Sequence, residues 1–311
     1  MARIYIDAGH GGSDSGAVRY LVEKTVNLKI ALACDEYLRA KGIETMMART
    51  TDVTKNLATR TSEANKYKAD YYVSIHNNAG EGDGAEMYFS IYRGVGEDLA
   101  HNILDEIAKI GQNIDRGCKM KKASSGKDYY AVIRNTNMPS VIAECVFVDN
   151  AKDAQILDTD AECKAMGVAI AKGVIKTLIA QGKYKEPALQ YKTHVQSIGW
   201  MDWVKAGKTA GTTGQAKRME AIIIDAPTDW DIQYQVHCQR IGDMPLVKDG
   251  EIAGTVGQGL RMESIRILAN KKIMYRVHQQ GIGWTKWYTN GEWAGVKGQS
   301  KRMEAIEIKE A

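Results

Sequence analysis

Two histidines and two glutamates stand where chemistry can gather. His10 follows the apolar segment Arg3–Asp7, within Asp7-Ala8-Gly9-His10-Gly11-Gly12. His76 closes Val73-Ser74-Ile75-His76, and Glu144 closes Val141-Ile142-Ala143-Glu144. Glu23 sits in the loop before a helix-like segment that begins near Val26. In open α/β sheets the carboxyl ends of strands form the ligand edge, so these residues can converge despite their separation in sequence. Catalytic zinc needs three His/Glu-type ligands and one position open to water. His10, Glu23 and His76 can supply the ligands, and Glu144 is then free to take a proton from the attacking water. Plainer readings stand beside this one. Either histidine alone is an ordinary loop residue, and Glu23 suits a helix N-terminus through the macrodipole. Glu144 is harder to dismiss, because a carboxylate in an apolar run is costly unless paired or functional. The glycines around His10 permit a sharp turn. No Lys-Ser/Thr follows them, which argues against a Walker-type phosphate loop.

The elements that must position these groups alternate. Strand-like segments run over Arg3–Asp7, Ile43–Arg49, Asp70–His76, Glu86–Tyr92 and Ser140–Val148. Helix-like segments fall between and after them, at Val26–Lys41, Leu57–Lys68, Gly96–Ile110 and Ala161–Gln181. Leu28, Leu32 and Leu38 are spaced for one face of the first helix. This alternation predicts an α/β domain over residues 1–181, a twisted, mostly parallel mixed sheet flanked by helices. Residues 182–190, with Gly182 and Pro187, read as a linker.

Residues 191–311 repeat. Tyr191-x-x-His194 returns as Tyr234-x-x-His237 and Tyr275-x-x-His278. Gly214-Gln215-x-x-Arg218-Met219-Glu220 returns from Gly257 to Glu263 and from Gly298 to Glu304. Alternating apolar residues and hairpin turns such as Asn290-Gly291 make each copy β. One copy cannot bury its apolar face alone, so the three predict a closed all-β domain, a β-prism or a β-trefoil. Three readings attach to its polar residues. The Arg-x-Glu pairs can be internal ion pairs, the recurrent histidines shared core, or His194, His237 and His278 a threefold metal site.

Composition bounds the function. The chain has 311 residues, a net charge of +4 and no uncharged apolar run long enough for a membrane helix. That charge is too mild for a dedicated nucleic-acid binder. Its excess lies in residues 191–311, with 17 Lys/Arg against 13 Asp/Glu, which favours an anionic partner there. Five irregularly spaced cysteines argue against a disulfide framework and for synthesis in a reducing compartment. Met1-Ala2-Arg3 leads straight into a strand-like segment without a signal-peptide pattern. The expectation is a protein made in a cytoplasm, which something else must release if it acts outside.

With these residues in place, the chain resembles the zinc-dependent N-acetylmuramoyl-L-alanine amidases of the amidase-3 type. The resemblance rests on Asp7 to Ala17, Glu23-Lys24-x-x-Asn27-Leu28, Arg60 through Asn65, Ser74 to Ala79 and Glu144-x-x-Phe147-x-x-Asn150. It implies Zn2+ held by His10, Glu23 and His76, Glu144 as the catalytic acid–base, and peptidoglycan as substrate. The bond cut would be the amide between N-acetylmuramic acid and L-alanine of the stem peptide. Asn77 and Asn78 are candidates to orient that substrate, or simply a turn after the strand. The departures are Ala8 where proline is common, Asn77 where alanine is common, and Cys145-Val146 after the glutamate. None removes a functional group.

The repeats resemble the clostridial hydrophobic repeats with a conserved tryptophan, through Gly199-Trp200, Trp203, Gly283-Trp284 and Trp287. Asp243 and Leu246 replace both tryptophans in the middle copy. Trp200, Trp203, Trp284 and Trp287 are therefore candidates to bind the wall, or an anionic polymer on it, with several weak sites acting together; the alternative is that they are core. The combination suggests a phage endolysin, with a bacterial autolysin as the near variant. A zinc endopeptidase of peptidoglycan and a catalytically inactive wall-adhesion protein are the rival readings.

Overall fold

A computed structural model describes residues 1–111 and 115–311. They form two compact units, Met1–Lys185 and Glu186–Ala311. Of the residues expected as a linker, Tyr184 packs on the first core and donates to Lys41 O (2.7 Å), while Leu189 is buried in the second.

The first unit is built from β1 (Arg3–Ala8), α1 (Glu23–Ala40), β2 (Glu44–Met47), α2 (Leu57–Tyr67), β3 (Tyr71–Asn78) and β4 (Ala85–Phe89). There follow α3 (Val95–Ala108), β5 (Asp115–Met120), α4 (Ala131–Arg134), β6 (Ser140–Phe147), α5 (Ala151–Ala154) and α6 (Asp160–Ala180). Its sheet has the order β2-β1-β3-β6-β4-β5, and only the β4–β6 pair is antiparallel. The expected mixed α/β architecture is present. The sequence reading had no strand at β5, whose Asp115-Arg116-Gly117-Cys118-Lys119-Met120 lacks a run of apolar residues.

The sheet's inner strands are mostly apolar because helices cover both faces, with polar exceptions that include Asp7, Ser74, His76, Glu86 and Glu144. On one face α6 lies between α1 and α3, and two glycines let it come close. A Cβ on Gly167 would stand 2.4 Å from Ile30 O, and one on Gly173 would stand 2.5 Å from the Ile103 Cα. Thr159 and Glu162 form a reciprocal capping box at the start of α6. Two expectations about α1 need correction. The buried stripe includes Val26, Asn27, Ile30, Ala31, Cys34 and Leu38, with Leu28 partly buried against the core, whereas Leu32 is 40% exposed, so of the three leucines Leu32 alone lies off the core face. Glu23 is not in the preceding loop. It opens the helix and is buried, because its carboxylate faces the histidines.

The second unit is all β. Each repeat supplies a long antiparallel pair: Gln190–Val195 with Met219–Asp225, Gln233–Cys238 with Met262–Leu268, and Ile273–Gln279 with Met303–Glu310. A short strand then crosses to another copy. Ala253–Gly254 of the second repeat pairs with the first, Ala294–Gly295 of the third with the second, and Ala210–Gly211 of the first with the third. This exchange closes a cycle, and the three five-stranded sheets share one apolar core. The recurrent glycines allow the crossing. All have positive φ, and a Cβ on Gly211, Gly254 or Gly295 would stand 2.3–2.5 Å from a carbonyl oxygen of the receiving repeat.

The tyrosines fix the same junctions. Tyr234 Oη accepts from Ile224 N of the preceding repeat at 3.1 Å and donates to Glu251 O of its own. Tyr275 accepts from Ile267 N at 3.1 Å, and Tyr191 accepts from Ile308 N at 2.8 Å. The Tyr-x-x-His pattern therefore marks a seam between repeats, which its sequence alone did not reveal.

Candidate metal centre

The carboxyl ends of β1 and β3 bring both histidines to the first residue of α1. Glu23 Oε1 lies 3.1 Å from His10 Nε2 and 3.0 Å from His76 Nδ1. One ligand atom from each of the three residues falls within 4.8 Å of the others, the sole such His/Cys/Asp/Glu group among the described residues. Glu144 is the register partner of His76 on β6. Its Oε2 is buried without a hydrogen-bond partner. Burial first, then the Glu23 and Glu86 charges, push the Glu144 carboxyl up to about 7, against the pull of His76. For Glu23, burial opposes ionisation, yet hydrogen bonds with His10 and His76 hold its carboxyl far below the usual range.

The backbone around these ligands is held by buried polar groups. His10 adopts φ 60°, an uncommon conformation for a residue with a side chain. Arg60 donates to Ala8 O (2.8 Å) and His10 O (2.7 Å), and pairs with Asp7. Asp7 also accepts from Tyr72 Oη (2.6 Å) and Ser74 Oγ (2.9 Å), so this buried carboxylate is fully partnered. Arg49 donates to the oxygens of Ala8, Gly9 and Lys24. Asp14 Oδ2 stands 2.9 Å from His10 Nδ1, which orients the ring so that Nε2 faces Glu23. Gly9 gives room for the second ring, since a Cβ there would stand 2.3 Å from His76 Nε2.

Arg49 and Asn27 were not singled out from sequence. Arg49 carried a usable signal, a lone ionisable residue directly after an apolar strand, the same placement as His10. Asn77 needs correction. It is 2% exposed and donates to Asn27 Oδ1 at 2.7 Å, and Asn27 in turn donates to Gly9 O. It braces the ligand loops and offers nothing to a substrate. Asn78 donates to Glu86 Oε1 at 3.1 Å.

The tryptophan candidates of the second unit lie outside its apolar core, which among tryptophans takes in Trp230 alone. Trp200 and Trp203 flank Lys192, whose Nζ is 5.3 and 4.8 Å from their ring centroids. Trp284 and Trp287 flank Arg276 in the same way, at 4.8 and 4.7 Å. The threefold histidine site is not formed. His194 and His278 each face a glutamate of their own repeat, at 3.1 and 3.0 Å, whereas His237 pairs with Asp243 at 2.6 Å and its other nitrogen lies 3.8 Å from Glu263. Each glutamate also holds an arginine, Arg218, Arg261 or Arg302.

Comparison with known proteins agrees with this geometry. Residues 4–176 match the N-acetylmuramoyl-L-alanine amidase family, and residues 194–225, 237–269 and 278–309 match the clostridial hydrophobic W repeat. The amidase CwlM of Bacillus licheniformis is 37% identical over 233 residues, covering 72% of this chain and 85% of the relative. The endolysin of Bacillus phage SPP1 is 35% identical over 185 residues, covering 56% and 65%. The structure of Cwp6 from Clostridium difficile superposes with a TM-score of 0.56 at 42% identity, covering 57% of this chain and 29% of that one. The chain therefore belongs to the N-acetylmuramoyl-L-alanine amidase family and carries three clostridial hydrophobic W repeats behind its amidase domain.

Proposed function

We propose that the first unit hydrolyses the amide between N-acetylmuramic acid and L-alanine of peptidoglycan, with zinc held by His10, Glu23 and His76 and with Glu144 as acid–base. The observation that carries this is the donor set itself, two imidazole nitrogens and a carboxylate oxygen within 4.8 Å beside an orphaned buried carboxylate. His2Glu is a ligand set suited to catalytic zinc. Bound there, zinc supplies Lewis acidity toward the amide carbonyl and acidifies water. The chain's own groups do the rest. Asp14 holds the His10 tautomer, and Arg49 and Arg60 fix the loop that presents it. Glu144 accepts a proton from the attacking water and hands it to the departing alanine nitrogen. Burial without a hydrogen-bond partner pushes the Glu144 carboxyl up to about 7, so it can both take up and release that proton near neutral pH.

The second unit, in this reading, binds the wall through the tryptophan–cation clusters of its first and third repeats, in which Trp203 is exposed and Trp200, Trp284 and Trp287 are half-buried. Its three sheets with cyclic strand exchange favour a β-prism over a β-trefoil. Similarity to the SPP1 endolysin supports a role in phage-driven lysis from the host cytoplasm.

Digestion of purified peptidoglycan, with and without a chelator, followed by mass analysis of the fragments, tests the proposal. Stem peptides beginning with L-alanine, lost on chelation and restored by zinc, are expected. Cleavage at another bond would favour an endopeptidase. No cleavage by folded, zinc-loaded protein would favour adhesion.

A further inference from the structure

We infer that the sheet face running from Glu144 past Glu86 and Tyr88 to Tyr129, Tyr130 and Lys121 receives the peptide leaving group, and that Lys121 binds a carboxylate of that peptide about four to five residues from the scissile amide. The inference rests on the amidase reading and adds the substrate features that the site selects.

Direction comes from the order of the sheet. The ligand triad lies on β1, α1 and β3, to one side of Glu144, while β4 and β5 lie on the other. The group that protonates the leaving amine must stand beside it. The peptide beyond that amine therefore extends away from the triad, over β4 and β5.

Register defines the track. Glu86 is the partner of Glu144 across the antiparallel pair, and Tyr88, two residues on, shares its face. Tyr88 is in register with Lys119, and Lys121 follows two residues later, just past the end of β5. The path from Glu144 to Lys121 thus descends four residues of strand, about 13 Å, and crosses two strand spacings, about 10 Å, a direct span of about 16 Å that four to five residues of extended peptide cover. Tyr130 packs on Tyr88 with ring centroids 4.9 Å apart, and Tyr129 packs on Tyr130 at 5.1 Å. Tyr129 is 51% exposed and presents an aromatic surface to the track.

Charge selects the occupant. Arg116 and Lys119 are committed to Glu86, at 2.7 and 2.6 Å. Asp128 is buried and accepts from Ser90 Oγ and Ile91 N. Lys121 is exposed, its Nζ 4.2 Å from the Tyr129 ring centroid and 5.6 Å from that of Tyr130. Among the described residues no carboxylate is paired with it. Lys122 and Lys127 on the same hairpin reinforce the positive potential. An aromatic platform under an uncommitted cation suits a carboxylate on an extended peptide.

The test compares two soluble substrates, N-acetylmuramoyl-L-alanine amide and N-acetylmuramic acid bearing an acidic tetrapeptide. Lys121→Glu is expected to raise KM for the tetrapeptide substrate about tenfold. Its kcat should hold, the short substrate should be unaffected, and Lys121→Arg should behave as the unaltered protein. An unchanged KM on the long substrate would overturn the inference, and so would an equal rise on both substrates. Cleavage of neither substrate by the unaltered, zinc-loaded protein would instead overturn the amidase reading on which it rests.

Discussion

Histidine meets glutamate in both units, with opposite results. In the first, one carboxylate faces two imidazoles, and no arginine or lysine is paired with it among the described residues. In the second, each repeat gives its glutamate both a histidine and an arginine. Glu220, Glu263 and Glu304 are neutralised from within, which leaves nothing for a metal to do. Glu23 has no arginine or lysine paired with it among the described residues, which suits the proposed metal site. The presence or absence of a local guanidinium therefore separates a ligand set from a structural ion pair built of the same residue types.

The largest expected effects break this comparison at the first unit. Glu144→Gln keeps the shape but cannot cycle a proton, so turnover should fall about a thousandfold or more while bound zinc stays near one per chain. His76→Ala should lose both turnover and zinc. His194→Ala should lose neither, because its glutamate is already paired with Arg218. Elemental analysis beside a soluble-substrate assay separates these cases. Zinc lost in His194→Ala, or more than one zinc per chain, would erase the distinction between the two kinds of His–Glu contact.

The sequence was most readable where chemistry and backbone pattern coincide. His10 lies just past β1, and His76 and Glu144 lie in the carboxyl-terminal halves of β3 and β6, so their convergence follows from the sheet alone. Glu23 needed the fold, since only the turn from Gly11 to Val22 folds the first residue of α1 back over β1, with Ala17 N donating to its carboxylate at 2.8 Å. Asn77 misled because alternation along β3 puts it on the α1 face with Val73 and Ile75, opposite His76, where it bonds Asn27. Of the leucines expected on one face of α1, Leu28 and Leu38 do meet the core, but Leu32 misled because α6 covers the face of Ile30, Ala33 and Cys34, approaching through the side-chain-free surface of Gly167. In the repeats the period was plain, but strand exchange between copies is a tertiary event. Its one trace in sequence was the recurring Ala-Gly at 210, 253 and 294.

A middle-sized effect tests the structural side of the comparison. Glu263 is 3% exposed, is bonded to Arg261 Nε at 2.9 Å and accepts from Gly298 N at 2.8 Å. Glu263→Ala would leave Arg261 half-buried without its anion, and Gly298 N without its acceptor. A cost of about 3 kcal/mol to the repeat unit is expected, seen as an earlier urea transition. Cleavage of a soluble muropeptide should be unchanged, since that chemistry resides in the first unit. A cost near zero would mean that the Arg–Glu–His cluster contributes little, and a functional role would then have to explain it.

The smallest effect concerns the seam. Tyr234→Phe keeps the buried ring but removes the hydroxyl that joins Ile224 N to Glu251 O. Both backbone groups lie where water has little access, so the loss should cost about 1–3 kcal/mol. The other two tyrosines make equivalent bonds, at Ile267 and Ile308. If the repeats close cooperatively, each single Tyr→Phe should lower the one urea transition of this unit by a similar amount. A second transition appearing in Tyr234→Phe would mean that one junction can open alone. The cycle would then be three neighbouring interfaces, not one cooperative core, and the contrast with the single-sheet amidase domain would extend from chemistry to folding.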